Sequence, residues 1–234
     1  MKTVFNIGRV GGIPISFHWT FLLVLMWIVL VNFLEVFQIE GLLWSILLLL
    51  SLFASILAHE FGHALVAKYF GIKASGIILL PIGEVANIPG LTKKPGKEIL
   101  ITLAGPAVNL IIAALLLIFI RPYSAYWGGP ENFGAVNGGN FLFQLQVINF
   151  SLGIFNLIPA FPMDGGRMLR ILLGLNMDIS KARRFAGIIG KTIAIGLIIW
   201  GIILINLLLI LIGICTLFAS SSKKYYLQLR KIAK

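Results

Sequence analysis

The run "GLLWSILLLLSLFASILAHEFGHALVAKYF", residues 41–70, is apolar almost throughout and constrains this chain more than any other feature. As a helix it would be about 45 Å long, more than the ~30 Å hydrocarbon core of a bilayer. It is not alone. Read against their breakers, the apolar stretches give six spans, near residues 16–34, 41–70, 97–120, 141–159, 183–201 and 203–222. The last two come from a single run that is too long for one crossing, and Gly201 with Asn206 brackets the expected turn. In lipid the backbone must satisfy its own hydrogen bonds, so long spans of this kind are helices. The expected fold is therefore an all-α polytopic membrane protein. Composition agrees, with 59% hydrophobic and 12% charged residues, against roughly 45–50% apolar in soluble domains.

The formal charge of +11 would suggest a nucleic-acid partner in a soluble protein. Here the spans sort it by side. Eighteen of the nineteen Lys and Arg residues fall on one face of the membrane and only Arg121 on the other. That asymmetry orients helices, so both termini are expected to be cytoplasmic in a multi-pass cell-membrane protein. The basic balance then reflects topology, and no nucleic-acid partner is expected. The N-terminus "MKTVFNIGRVGGIPISF" does not read as a removable signal peptide. Cys215, in an apolar run, reads as a small hydrophobe, and a lone cysteine offers no disulfide framework.

Within the second span, His59 and His63 lie four residues apart, on one helix face, with Glu60 beside them. This H-E-x-x-H spacing lets two imidazoles hold one Zn²⁺ and places a carboxylate to take a proton from water that the metal activates. Ionisable groups in a span are costly, which makes them functional candidates; the bland alternative is interhelical hydrogen bonding. A catalytic zinc also needs a third protein ligand. Asp164, in "FNLIPAFPMDGGRMLR", follows the fourth span, which also arrives from the outside. Taken alone it reads as a turn-forming Asp before Gly165 and Gly166; beside the histidine motif we read it as the ligand. Pro159, Pro162 and the two glycines are expected to keep it on irregular backbone. Asn156 either donates to a developing oxyanion or joins helices. His18, near Trp19, reads as an interfacial histidine, while Gly187, Gly190 and Gly196 allow close helix contacts.

Five stretches, "GIPISFHWTF", "LAHEFGHALVAKYFGI", "LLPIGEVA", "AGPAVN" and "FNLIPAFPMDGGRMLR", together resemble the site-2 protease family of intramembrane zinc metalloproteases, above all its compact prokaryotic branch. The resemblance implies that His59, His63 and Asp164 ligate one Zn²⁺ per chain and that Glu60 is the general base. It favours a substrate or transition-state role for Asn156 and implies a three-helix catalytic core. It also implies a membrane-associated strand region near residues 74–90, where Leu79, Leu80, Pro81, Ile82 and Gly83 would receive an unwound substrate. Glu84 stands where close relatives often have glycine, which would favour basic over acidic peptides. Many relatives carry an appended regulatory domain, whereas this chain ends in a basic tail, residues 223–234, behind a protease domain spanning 1–222 with its core at about 41–166.

The implied activity is hydrolysis of a peptide bond within or near a transmembrane segment of another protein. A helix hides its carbonyls, so such a substrate must unwind locally. A metal-ion transporter is the alternative from another class, since histidines and carboxylates in spans also mark ion pathways. It would call for several ligand sites along a path and an internal repeat, and the sequence has one cluster and no repeat.

Overall fold

The structure, a computed structural model, describes residues 4–10, 12–18, 39–72, 77–80, 83–86, 94–120 and 135–221, with isolated helical positions between 23 and 30. The helices among them are α1 (Ile39–Tyr69), α2 (Pro95–Ile120), α3 (Phe141–Leu157), α4 (Asp164–Gly174), α5 (Ile179–Ile203) and α6 (Leu207–Ser221). The strands are β1 (Val4–Val10), β2 (Ile13–His18), β3 (Ile77–Leu80) and β4 (Gly83–Ala86). Contacts divide the chain into two compact units, Met1–Pro89 with Ala107–Gly153, and Gly90–Pro106 with Ile154–Lys234.

Among the described residues, three helices, α1, α2 and α5, are long and apolar enough to cross a membrane, and Phe141–Leu157 and Leu209–Phe218 are shorter apolar helices. The chain is a multi-pass membrane protein. The first expected span needs correction at its start, because residues 16–18 belong to β2. Most of that span, like the basic tail, lies outside the described residues.

In the first unit, α1 carries Glu40 in its first turn and Lys68 in its last, each complementing the helix dipole. Its buried positions Ser55, His59, His63 and Ala67 recur every four residues, which makes one face, with Glu60, Gly62 and Ala64 buried beside them. Gly71, at φ +79°, ends the helix. The Gly71 N–H donates to the Lys68 carbonyl and the Ile72 N–H to the Ala67 carbonyl, both at 2.9 Å, the paired bonds of a Schellman cap.

The four strands form one sheet in the order β1-β2-β3-β4. β1 pairs antiparallel with β2, and β3 antiparallel with β4. β2 and β3 are parallel, with Ile15 opposite Ile77 and Phe17 opposite Leu79. A parallel pair needs a long crossover, and the segment joining these two contains α1. Ile13 and Ile15, two apart on β2, are both 4% exposed. Ile13 packs on Ala64 of α1, with Ile56, Leu57 and Phe61 around the pair, so the sheet rests on the helix that carries the histidines. The strand region expected at 74–90 is present, and β1 and β2 enlarge it.

In the second unit, α5 and α6 form a helical hairpin whose turn lies at Leu204–Asn206. Ile205 adopts φ +52° there. The Asn206 N–H donates to the Gly201 carbonyl at 2.8 Å, and Asn206 Oδ1 accepts from the Leu209 N–H at 3.1 Å, capping α6. A Cβ on Gly201 would lie 2.7 Å from Ile210, and one on Gly213 2.6 Å from Ile198, so these glycines set how closely the two helices approach. Of the glycines expected to permit such contacts, Gly190 lies against Ser220, whereas Gly196 faces open space.

Candidate metal centre

One turn of α1 separates His59 from His63, so their rings meet edge to face on the same side of the helix, with centroids 4.8 Å apart and planes at 80°. Their Nε2 atoms are 3.1 Å apart. Glu60 Oε1 lies 3.8 Å from His59 Nε2. All three side chains are buried, Glu60 most deeply at 1% exposed. One donor atom from each lies within 4.8 Å of the others, a group able to hold a metal ion. The donors suit zinc in kind and spacing. Zn–N bonds of about 2.0–2.1 Å at tetrahedral angles set two imidazole nitrogens roughly 3.3–3.4 Å apart.

Two residues to which the sequence reading gave no role support this face. Asn109 of α2 and Asn149 of α3 are both 0% exposed. Asn109 Oδ1 lies 2.6 Å from His59 Nδ1. The Asn109 amide donates to Asn149 Oδ1 at 3.0 Å and to the Ser55 carbonyl at 3.2 Å. The Asn149 amide donates to Ser55 Oγ at 3.0 Å. The available signal was an isolated amide inside an apolar span, where small polar groups bond across helices.

Asp164 and Asn156 belong to the second unit. Asn156 is half-buried in the last turn of α3. Asp164 is 8% exposed and opens α4, where the helix dipole favours a carboxylate. The irregular backbone expected around it is confined to residues 158–163, which include a cis Phe161–Pro162 peptide. The two glycines also act differently from expectation. Neither has positive φ, but a Cβ on Gly165 would collide with the Leu157 and Ile158 carbonyl oxygens, and one on Gly166 would lie 2.6 Å from the Ala160–Phe161 peptide. They are glycine because α4 begins pressed against the preceding turn. Arg167 Nη1 lies 3.8 Å from Asp164 Oδ1. Arg170 donates to Glu98 Oε1 at 2.8 Å, a buried ion pair that joins α4 to the first turn of α2.

Of the residues expected to meet substrate, Leu79 pairs on both sides, with Phe17 and Glu84. Leu80 faces Gly83 across the β3–β4 connection. Pro81 and Ile82 lie outside the described residues, and the side chain of His18 is likewise not described. Among the described residues, the strand order leaves β1 and β4 as the edges of the sheet.

The sequence model of peptidase family M50 matches residues 47–133 and 131–200. Zinc metalloprotease MJ0392 of Methanocaldococcus jannaschii is 36% identical over 234 residues, 100% of this chain and 64% of its own length. The putative zinc metalloprotease Rip3 of Mycobacterium tuberculosis is 29% identical over 226 residues, 86% of this chain and 52% of its own. The chain thus spans about half to two thirds of the length of these curated relatives. A solved structure, the site-2 protease from Methanocaldococcus jannaschii, superposes with a TM-score of 0.67 at 36% identity and covers 93% of each chain.

Proposed function

The chain belongs to peptidase family M50, and from that premise we propose that it is an intramembrane zinc metalloprotease that cleaves a membrane-anchored protein within or near its transmembrane segment. The observation that carries this reading is the pair of buried Nε2 atoms 3.1 Å apart with a buried glutamate beside them. Two imidazole nitrogens that close must share a hydrogen, one ring donating its N–H to the other, or hold a metal between them. In this reading His59, His63 and Asp164 hold one zinc, which supplies the Lewis acidity that makes water nucleophilic near neutral pH.

The remaining chemistry belongs to the chain. Glu60 takes a proton from the attacking water and returns it to the leaving amine nitrogen. Asn156 donates a hydrogen bond to the oxyanion that develops on the scissile carbonyl. An unwound substrate segment adds as a strand to the edge at β4, which begins at Gly83, because an edge offers free backbone donors and acceptors. Glu84 on that edge favours basic segments. Six spans cross the bilayer, the shorter α3 and α6 among them, and both termini lie on the cytoplasmic side of the cell membrane, in accord with the basic asymmetry. Residues 1–222 form the protease domain, with the catalytic core at about 41–166 and the basic tail, 223–234, outside it.

The test compares bound zinc and cleavage of a single-span membrane substrate among wild type, Glu60→Gln and Asp164→Ala. Glu60→Gln is expected to keep its zinc and lose about 10²–10⁴-fold in rate, the usual share of a general base. Asp164→Ala is expected to lose both. Wild-type cleavage by Glu60→Gln would overturn the mechanism.

A further inference from the structure

We propose that Asn109 is a positioning residue that fixes the tautomer of His59, so that Nδ1 carries the proton and Nε2 is left bare for the metal. The inference rests on the metal-centre reading above, but its evidence is the polarity of a hydrogen-bond chain. Backbone carbonyls accept and never donate, and three of them anchor this chain. The Ser55 hydroxyl donates to the Ser51 carbonyl at 2.8 Å, so its oxygen is left to accept from the Asn149 amide at 3.0 Å. The second Asn149 N–H donates to the Leu145 carbonyl at 2.9 Å. With both amide hydrogens placed, Asn149 presents its oxygen to Asn109 and accepts there at 3.0 Å. The other Asn109 N–H donates to the Ser55 carbonyl at 3.2 Å.

What Asn109 has left is Oδ1, 2.6 Å from His59 Nδ1. An acceptor at that distance requires a proton on Nδ1. Turning the Asn109 amide over would set its oxygen against two acceptors, the Ser55 carbonyl and Asn149 Oδ1, between side chains that are themselves fully buried. The orientation is therefore fixed from Ser51 onward, and it fixes the ring. A neutral imidazole with Nδ1–H offers a lone pair at Nε2, the atom that lies 3.1 Å from His63 Nε2. Two asparagines from separate helices thus prepare one ligand before any metal arrives.

Two measurements on the purified full chain test this. In the metal-free wild type, near pH 8, where an ordinary histidine is neutral, the ring ¹⁵N shifts of His59 are expected to show the Nδ1–H tautomer. The Nε2–H tautomer would overturn the proposal. Zinc affinity by chelator competition, with the visible spectrum of the cobalt form, is then compared among variants. Asn109→Leu is expected to lose about 10–100-fold in affinity, the usual cost of removing a histidine's outer partner, and to alter the cobalt spectrum. Asn109→Gln, which keeps both an amide oxygen for Nδ1 and N–H donors for the Ser55 carbonyl and Asn149, is expected to recover part of that loss. Equal zinc affinity in Asn109→Leu and wild type would overturn the proposal. If the wild type bound no zinc, the metal-centre reading would fall, while the metal-free tautomer would still decide the role of Asn109.

Discussion

At the scale of single residues, a four-residue spacing on one helix was enough to place His59, Glu60 and His63 together, because helix geometry alone brings i and i+4 side by side. Asn109 and Asn149 could not be found that way. They are forty residues apart and reach Ser55 of a third helix only through packing. Gly165 and Gly166 were legible as necessary, but the reason was not, since close approach to the Leu157, Ile158 and Ala160 backbone is a tertiary fact. That reason gives a prediction. Gly165→Ala should displace the start of α4, and with it Asp164, so zinc affinity and cleavage should both fall at least tenfold. Gly174→Ala, in the same helix with nothing near its Cβ position, should retain activity and gain up to about 1 kcal/mol of stability. Chelator competition, cleavage assays and thermal unfolding of the two variants check this pair.

At the scale of elements, long apolar helices announce themselves, whereas short strands beside them do not. β2, "IPISFH", has the alternation of a half-buried strand in Ile13 and Ile15, yet it runs directly into an apolar stretch whose longer signal absorbs it. The α5–α6 turn was readable because Gly201 and Asn206 have no better use in the middle of an apolar run, and both take part in the turn. Nothing in the sequence paired Glu98 with Arg170, 72 positions apart. Their ion pair is a tie between α2 and α4 and should behave as a buried one. Arg170→Ala leaves a buried carboxylate without its cation and should cost about 3–5 kcal/mol. Lys181→Ala, which removes an exposed partner of Asp178 at 3.9 Å, should leave the melting temperature unchanged. Thermal unfolding of the two variants in detergent separates the cases.

At the scale of the whole molecule, an apolar composition sends the chain into a membrane, and the membrane makes each buried polar group a matter of consequence. The polar residues of α1 are tolerable there because each has a defined place: His59 against Asn109, His63 against His59, and Glu60 beside both. In the proposed function this cluster and Asp164 hold one metal, and that shared ion makes the chain a protease. Anomalous diffraction at the zinc edge, from crystals of the zinc-loaded protein, tests it most directly. A single peak within about 2.0–2.2 Å of His59 Nε2, His63 Nε2 and an Asp164 carboxylate oxygen is the expected result. A peak away from the histidines, or one that Asp164 does not reach, would contradict it.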